Sequence, residues 1–257
     1  MAIPAKYKII SVKSFSENLE LTRPYTIAFK TFDSVENIFV LIETGEGRMG
    51  IGSGAPSEFV TGETMESAKE KLLELEGFLL GADIRKMNAI IRRMKDLFPK
   101  NPAIRAAIDI ALHDIYTKVL AIPLVDLWGR AHFRLPTSVT IGINTVAESI
   151  EQAKEYLDLG FKVIKLKTGK TVKEDIEILT KIRETVGKSI KIRVDANQGY
   201  TVQDTKDFYQ LTKKLEIELI EQPLPFESVK QMKKLSPRIR KICMADESLK
   251  TTEDALT

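Results

Sequence analysis

Four charged residues recur at a nearly constant interval in the second half of the chain, each near the end of a short apolar run. They are Lys167, Asp195, Glu221 and Asp246, separated by 28, 26 and 25 residues. The runs that carry them, "FKVIKLK", "IKIRVDA", "IELIEQP" and "KICMADE", and an earlier one, "SVTIGI", have the length and β-branched content of buried strands. Amphipathic segments lie between them, such as the one presenting Val172, Ile176, Leu179, Ile182 and Val186 as one apolar stripe. Strands alternating with helices predict βα units around a parallel sheet, and the interval is close to the about 31 residues per unit of a (β/α)8 barrel. The fold class is therefore read as α/β, with a barrel of which this chain supplies the first five strands. Three more units, on the order of 90 residues at the barrel average, are expected to follow. The last residues, "TTEDALT", read as a capped helix stopped in its first turn.

Before about Leu135 the pattern is different. "YKIISVKSF" and "VENIFVLIET" are β-rich, and Gly45, Glu46 and Gly47 predict a tight turn into the alternating "RMGIGSG". Helical spacing follows in "ETMESAKEKLLELEGFLLG" and "RKMNAIIRRMKDLF". Asn101 and Pro102 suit the cap and first turn of a third helix, which is expected to bury Ile104, Ile108, Ala111, Leu112 and Ile115. The predicted domains are an α+β unit over residues 1–134 and a partial barrel over residues 135–257.

Composition narrows the function. With 43% hydrophobic and 29% charged residues the chain is globular rather than disordered. No apolar stretch reaches secretory or membrane-spanning length, so a soluble cytoplasmic protein is expected. The net charge of +3 comes from 39 basic and 36 acidic residues mixed along the chain, without the basic tract of a nucleic-acid binder. One cysteine, Cys243, excludes an internal disulfide framework. His113 and His132 are too few for a histidine-rich metal site and are expected on a helix surface and in a loop. Any metal must sit on oxygen.

In parallel barrels the chemistry lies at the C-terminal ends of the strands. Side chains alternate along a strand, so Lys165 and Lys167 share one face and Leu166 takes the other. Asp195, Glu221 and Asp246 end three consecutive strands about 4.8 Å apart, a spacing three inward carboxylates can bridge to one ion. Mg2+, or Mn2+ in its place, would relieve their repulsion and leave coordination sites for water and a substrate carboxylate. Such an ion stabilises the charge that develops when a proton is lost beside a carboxylate, through an enediolate. Lys167 is the expected base, with Lys165 and the metal lowering its pKa. Lys191 and Arg193 share the face of Asp195 and are read as structural neutralisers, and alternation turns Glu247 away from the axis. "GKT" at Gly169 to Thr171 lacks the glycine that a phosphate loop needs five positions earlier, where Ile164 stands.

The ordered set "KLK", "DANQGY", "EQPLP" and "MADES" resembles the enolase superfamily, specifically its muconate lactonizing enzyme subgroup, over nearly the whole chain. The resemblance implies an α+β capping domain followed by a modified barrel. It also implies Lys167 and Lys165 in acid/base roles and Asp195, Glu221 and Asp246 as Mg2+ ligands. Within the subgroup the motifs look most like dipeptide epimerases of the L-Ala-D/L-Glu type, in which Thr140 would match a substrate-contacting threonine. Other reactions of the subgroup are o-succinylbenzoate synthesis, N-succinylamino acid racemisation and muconate cycloisomerisation. The family also implies a homo-oligomer. A second catalytic lysine on a sixth strand and an acidic motif near the eighth would lie beyond Thr257. A chain ending there is expected to be a noncatalytic fragment, because epimerisation needs a group on each face of the intermediate. Substrate choice is expected to rest on residues 23–32 and 53–61.

Overall fold

The computed structural model of the chain describes residues 2–27 and 30–256. It divides into two compact units: residues 1–22 with 34–133, and residues 23–33 with 134–257. Among the described residues no helix is long and apolar enough to cross a membrane.

A three-stranded sheet runs in the order β1 (Ile9–Ile27), β2 (Lys30–Thr44) and β3 (Met49–Gly54), and its residues outside 23–33 form the base of the first unit. β2 and β3 are antiparallel, with Ile38 opposite Gly54 and Glu43 opposite Met49. The Gly47 amide closes the predicted turn on the Thr44 carbonyl at 2.9 Å. β1 runs 19 residues, well past the predicted end near Phe15. Phe15 stacks on Phe39 at 5.2 Å. The polar second half of β1 carries a contact that an apolar count does not see, where the hydroxyls of Thr26 and Thr31 meet at 2.9 Å.

Three helices follow, α1 (Met65–Leu79), α2 (Met87–Leu97) and α3 (Pro102–Leu120), each within the segment its apolar spacing predicted. Thr64 starts α1 with a capping box, its hydroxyl accepting from the Ser67 amide. Pro102 opens α3 as expected, but Asn101 makes no side-chain cap. The buried Glu63 carboxylate accepts from the Ala103 amide at 2.8 Å instead, placing a negative charge at the positive end of the helix dipole. Ile104, Ile108, Ala111, Leu112 and Ile115 are all buried, as predicted, among Leu72, Leu75, Leu79 and Ile90. Each large aliphatic side chain removed from water there contributes roughly 1.5–3 kcal/mol before chain entropy is charged against it.

Gly50, Gly52 and Gly54 alternate along β3 and face Ala111, Ala107 and Ala103, one turn apart on α3. A β-carbon on any of them would overlap an α3 backbone carbonyl, so the strand lies directly on the helix backbone. A short helix, α4 (Leu124–Leu127), ends the unit. His113 on α3 is 12% exposed, more buried than a helix-surface residue, because its ring packs edge-on against Trp128 at 5.2 Å and approaches Asp109. His132 is exposed outside any helix or strand, as expected.

The second unit is a five-stranded sheet in sequence order: β4 (Ser138–Ile141), β5 (Val163–Lys167), β6 (Lys191–Asp195), β7 (Ile217–Glu221) and β8 (Cys243–Met244). All neighbours are parallel. The intervening helices α5 (Val146–Asp158), α6 (Val172–Val186) and α7 (Val202–Leu211) start on Thr145, Thr171 and Thr201, whose hydroxyls accept from the amide three residues on. α6 buries Leu179, Ile182 and Val186 with Ile164, Leu166, Ile192 and Val194 from the strands. Two short helices, α8 (Pro237–Arg240) and α9 (Thr252–Ala255), complete the described residues, α9 starting on a capped Thr251 as its sequence predicted. This is an antiparallel β cap sequence followed by five parallel strands, the partial (β/α)8 architecture expected.

Candidate active site

Register brings the charged strand ends level. Lys167 pairs with Asp195 across β5 and β6, and Asp195 with Glu221 across β6 and β7. Thr140 pairs with Lys165 across β4 and β5, which puts it on the same face as the lysines. Leu166 faces the other way and is buried in the sheet-helix core, as alternation requires.

The side chains of four of these residues meet. Lys167 Nζ donates to Asp195 Oδ2 at 2.6 Å, and Lys165 Nζ lies 2.9 Å from the same oxygen and 2.7 Å from Glu221 Oε1. Asp195 is fully buried, and its Oδ1 accepts from the Asn197 amide at 2.9 Å. Burial alone would raise the Asp195 carboxyl, but the ammonium groups of Lys167 and Lys165 outweigh it and hold it below the usual range. Glu221 moves the other way. Burial raises it first, Lys165 opposes, and the negative charges of Asp195 and Asp246 add to the rise. Burial works against the charge on Lys165, yet its two carboxylate partners prevail and its pKa is raised. The two directions agree physically, since Lys165 faces two acids whereas Glu221 has one cation and two like charges for neighbours.

Asp246 stands apart from this group. β8 stops at Met244, so Asp246 is not on a strand, and it is exposed. Among the described residues no three His, Cys, Asp or Glu side chains are gathered closely enough to hold a metal ion. The lysines compensate the charge of Asp195 and Glu221. The donor set nevertheless suits a hard cation. It offers buried carboxylate oxygens whose charge is balanced by flexible ammonium groups, with a third carboxylate close enough to raise the Glu221 pKa.

The strand tips are locked to one another beyond the strands. The Thr168 amide donates to the Asp195 carbonyl (2.8 Å), Ala196 to Glu221 (3.1 Å), Gln198 to Gln222 (2.8 Å) and Gln222 to Met244 (2.8 Å). Asn197, Gln198 and Gln222 adopt positive φ of 42°, 68° and 35°, so strained backbone is concentrated at these ends. Gly169, at φ 109°, and Gly199 press the loops after β5 and β6 together, leaving no room for a β-carbon on either. Asp175, buried in the first turn of α6, ties both loops. Its Oδ2 accepts from the Gly169 amide at 3.0 Å and the Tyr200 hydroxyl at 2.7 Å. Burial raises its carboxyl, and those two hydrogen bonds only partly oppose it.

Several of these residues escaped the sequence reading. Tyr25 is half-buried, and its hydroxyl is pushed well up first by burial and then by the negative charges of Asp195 and Glu221. The Thr26 carbonyl accepts from the Ile143 amide at 3.0 Å, and Gly142 leaves room for that approach. Residues 23–32 were expected to influence the substrate, but nothing local marks Tyr25 within them. Gln222 and Asp175 carried a weak signal at most, as an amide beside Glu221 and an acid beside an apolar stripe. Lys191 and Arg193 pair with Glu218 at 2.7 and 2.6 Å, consistent with neutralising roles. Glu247 keeps one buried carboxylate oxygen without a hydrogen-bond partner. Cys243 is half-buried, and burial pushes its thiol up to about 11, away from the thiolate.

The chain is similar to known proteins over nearly its whole length. Residues 9–129 match the mandelate racemase/muconate lactonizing enzyme N-terminal domain, and residues 148–257 match the enolase C-terminal domain-like family. It is 47% identical to an L-Lys-D/L-Arg epimerase from Desulforapulum autotrophicum, a match covering 96% of this chain and 70% of that protein. Its structure matches a dipeptide epimerase from Methylococcus capsulatus complexed with Mg and the dipeptide L-Arg-D-Lys. The TM-score is 0.93 at 41% identity, over 97% of this chain and 71% of that one. A dipeptide epimerase from Enterococcus faecalis V583, complexed with Mg and L-Leu-L-Tyr, gives a TM-score of 0.93 at 34% identity, over 97% of this chain and 70% of that one. Paired carboxylates and lysines on consecutive parallel strand tips, with a matching N-terminal domain, place this chain in the mandelate racemase/muconate lactonizing enzyme family of the enolase superfamily, among isomerases.

Proposed function

We propose that this protein catalyses the Mg2+-dependent epimerisation of a dipeptide, with Lys167 exchanging the proton α to the substrate carboxylate. The observation that carries the reading is the contact of Lys165 and Lys167 with the buried Asp195 and with Glu221 at the ends of consecutive strands. Asp195, Glu221 and Asp246 are the residues that would hold the metal, with Mn2+ as a substitute. When bound, the metal supplies positive charge against the negative charge that builds up on the substrate carboxylate as the α-proton leaves.

Lys167 Nζ, in contact with Asp195 Oδ2, is the group that takes that proton. Lys165, whose partners favour its charged form, stays an ammonium and orients the substrate carboxylate. Thr140, in register with Lys165, lies beside that carboxylate, and Tyr25, an un-ionised phenol, screens the carboxylates from water. Return of a proton to the opposite face needs a second group, which the family resemblance assigns to a lysine on a sixth strand. Similarity to an L-Lys-D/L-Arg epimerase and to a complex with L-Arg-D-Lys favours basic dipeptides over the L-Ala-D/L-Glu class.

The test is a dipeptide library incubated with full-length protein and Mg2+ in D2O, with α-deuterium followed by mass spectrometry. Exchange in dipeptides of lysine and arginine is expected. Exchange in Ala-Glu dipeptides alone would move the substrate class. Turnover of only N-succinylated amino acids, muconate or the o-succinylbenzoate precursor would replace the reaction. No exchange with any substrate, in protein that binds Mg2+, would leave a noncatalytic chain.

A further inference from the structure

Asp246 is the one member of the acidic set that no strand holds, yet its backbone is fixed. Its carbonyl accepts from the Leu249 amide at 2.9 Å, and its amide is held by one side chain. Gln222 Oε1 accepts from the Asp246 amide at 2.9 Å, the Ser248 amide at 3.1 Å and the Ser248 hydroxyl at 2.9 Å. Its Nε2 donates to the Leu224 carbonyl at 2.8 Å, and its own backbone amide donates to the Met244 carbonyl at 2.8 Å. Gln222 is 3% exposed and follows Glu221 directly, so it joins one carboxylate covalently and the other through hydrogen bonds.

The chemistry of the contact asks for an amide. The oxygen must accept three hydrogen bonds while the other end of the same planar group donates to a carbonyl. A carboxylate would set an oxygen against the Leu224 carbonyl, and an aliphatic side chain would leave two part-buried amides and a hydroxyl without this acceptor. Gln222 also holds φ at 35°, a conformation unfavourable for a non-glycine residue that persists where surrounding bonds over-determine it.

We infer that Gln222 is a positioning residue that sets the span between the Glu221 and Asp246 carboxylates, and thereby the affinity of the site for a divalent cation. The inference rests on the metal reading proposed above. It concerns a side chain that touches neither substrate nor metal and acts by fixing the loop of a ligand.

The experiment compares Mg2+ affinity by calorimetry in the wild type, Asp246→Asn, Gln222→Met and Ser248→Ala, and counts Mn2+-bound waters by proton relaxation in each. Gln222→Met is expected to weaken Mg2+ about tenfold or more, the usual size of an outer-sphere loss, and Asp246→Asn, which alters a ligand itself, at least as much. Both should also add a water to bound Mn2+, a change that general loosening of the fold would not produce. Ser248→Ala removes one of the three bonds, is tolerated at a half-buried loop position, and is expected to weaken Mg2+ about threefold. It decides the matter if Gln222→Met does not fold. Asp246→Asn weakening Mg2+ while Gln222→Met or, failing that, Ser248→Ala binds as the wild type would overturn the inference and leave the metal reading intact. A wild type that binds no Mg2+, or an Asp246→Asn variant of unchanged affinity, would overturn both.

Discussion

Both units use glycine to bring backbones into contact, with different results. In the first, Gly50, Gly52 and Gly54 seat a strand on the alanines of α3, and the surrounding core is aliphatic. In the second, Gly169 and Gly199 join two strand-tip loops, and beside the join stand Lys167 and Asp195 in contact. The same steric device makes a scaffold in one unit and aligns reactive groups in the other. What separates them is the charge at the contact and the strain around it. Of the five described non-glycine residues with positive φ, Asn197, Gln198 and Gln222 belong to the strand tips.

That contrast is open to measurement. Lys167→Ala should lower α-proton exchange in D2O by roughly a thousandfold, and some stability is lost with it, because the buried Asp195 keeps only Lys165 as its cation. An exchange rate equal to the wild type would remove Lys167 from the reaction. Gly52→Val should cost about 3 kcal/mol in chemical denaturation, since the new side chain meets the Ala107 carbonyl and the Ala111 amide. A cost under about 1 kcal/mol would show that strand and helix can separate cheaply, and the scaffold half of the contrast would fail.

Asp175→Ala tests the other half, because it leaves the Tyr200 hydroxyl and the Gly169 amide without their acceptor. It should lose about 2 kcal/mol of stability and also slow exchange, whereas Asp175→Asn, which keeps an acceptor, should recover most of both. Stability lost without any change in exchange would make the loop junction a scaffold like the first. The smallest effect is expected from acid. Asp195 binds its proton less tightly in the folded protein, so it favours folding above the ordinary aspartate value near 4, and that contribution is lost as the pH falls through its depressed folded value. Below about pH 4 the metal-free wild type should lose stability that Asp195→Asn has already lost. Parallel acid curves for the two proteins would count against the lysine pairing.

The barrel strands and the level of Lys167, Asp195 and Glu221 were legible because each depends on a local pattern, an apolar run ending in charge, repeated at a steady interval. Asp246 obeys the interval but not the geometry. Its strand is two residues long, and its position depends on a side chain of the neighbouring tip. The true length of β1 was hidden for a related reason, since its second half is held by cross-strand partners rather than by alternation with a core. Glu63 takes the place of Asn101 at the start of α3 because a carboxylate brought there from 40 residues earlier offers more to the helix end than a neutral amide. Tyr25 became visible only when folding brought it near two acids from the far side of the sequence.

The hydrogen bonds that run from Thr168 to Asp195, from Ala196 to Glu221 and from Gln222 to Met244 have a mechanical meaning. They make the rim of the sheet one plate rather than four separate posts. A ligand that tugs on one acid must carry its neighbours along, so the geometry can respond as a whole or hold as a whole, and a fault introduced at any tip is felt at the others.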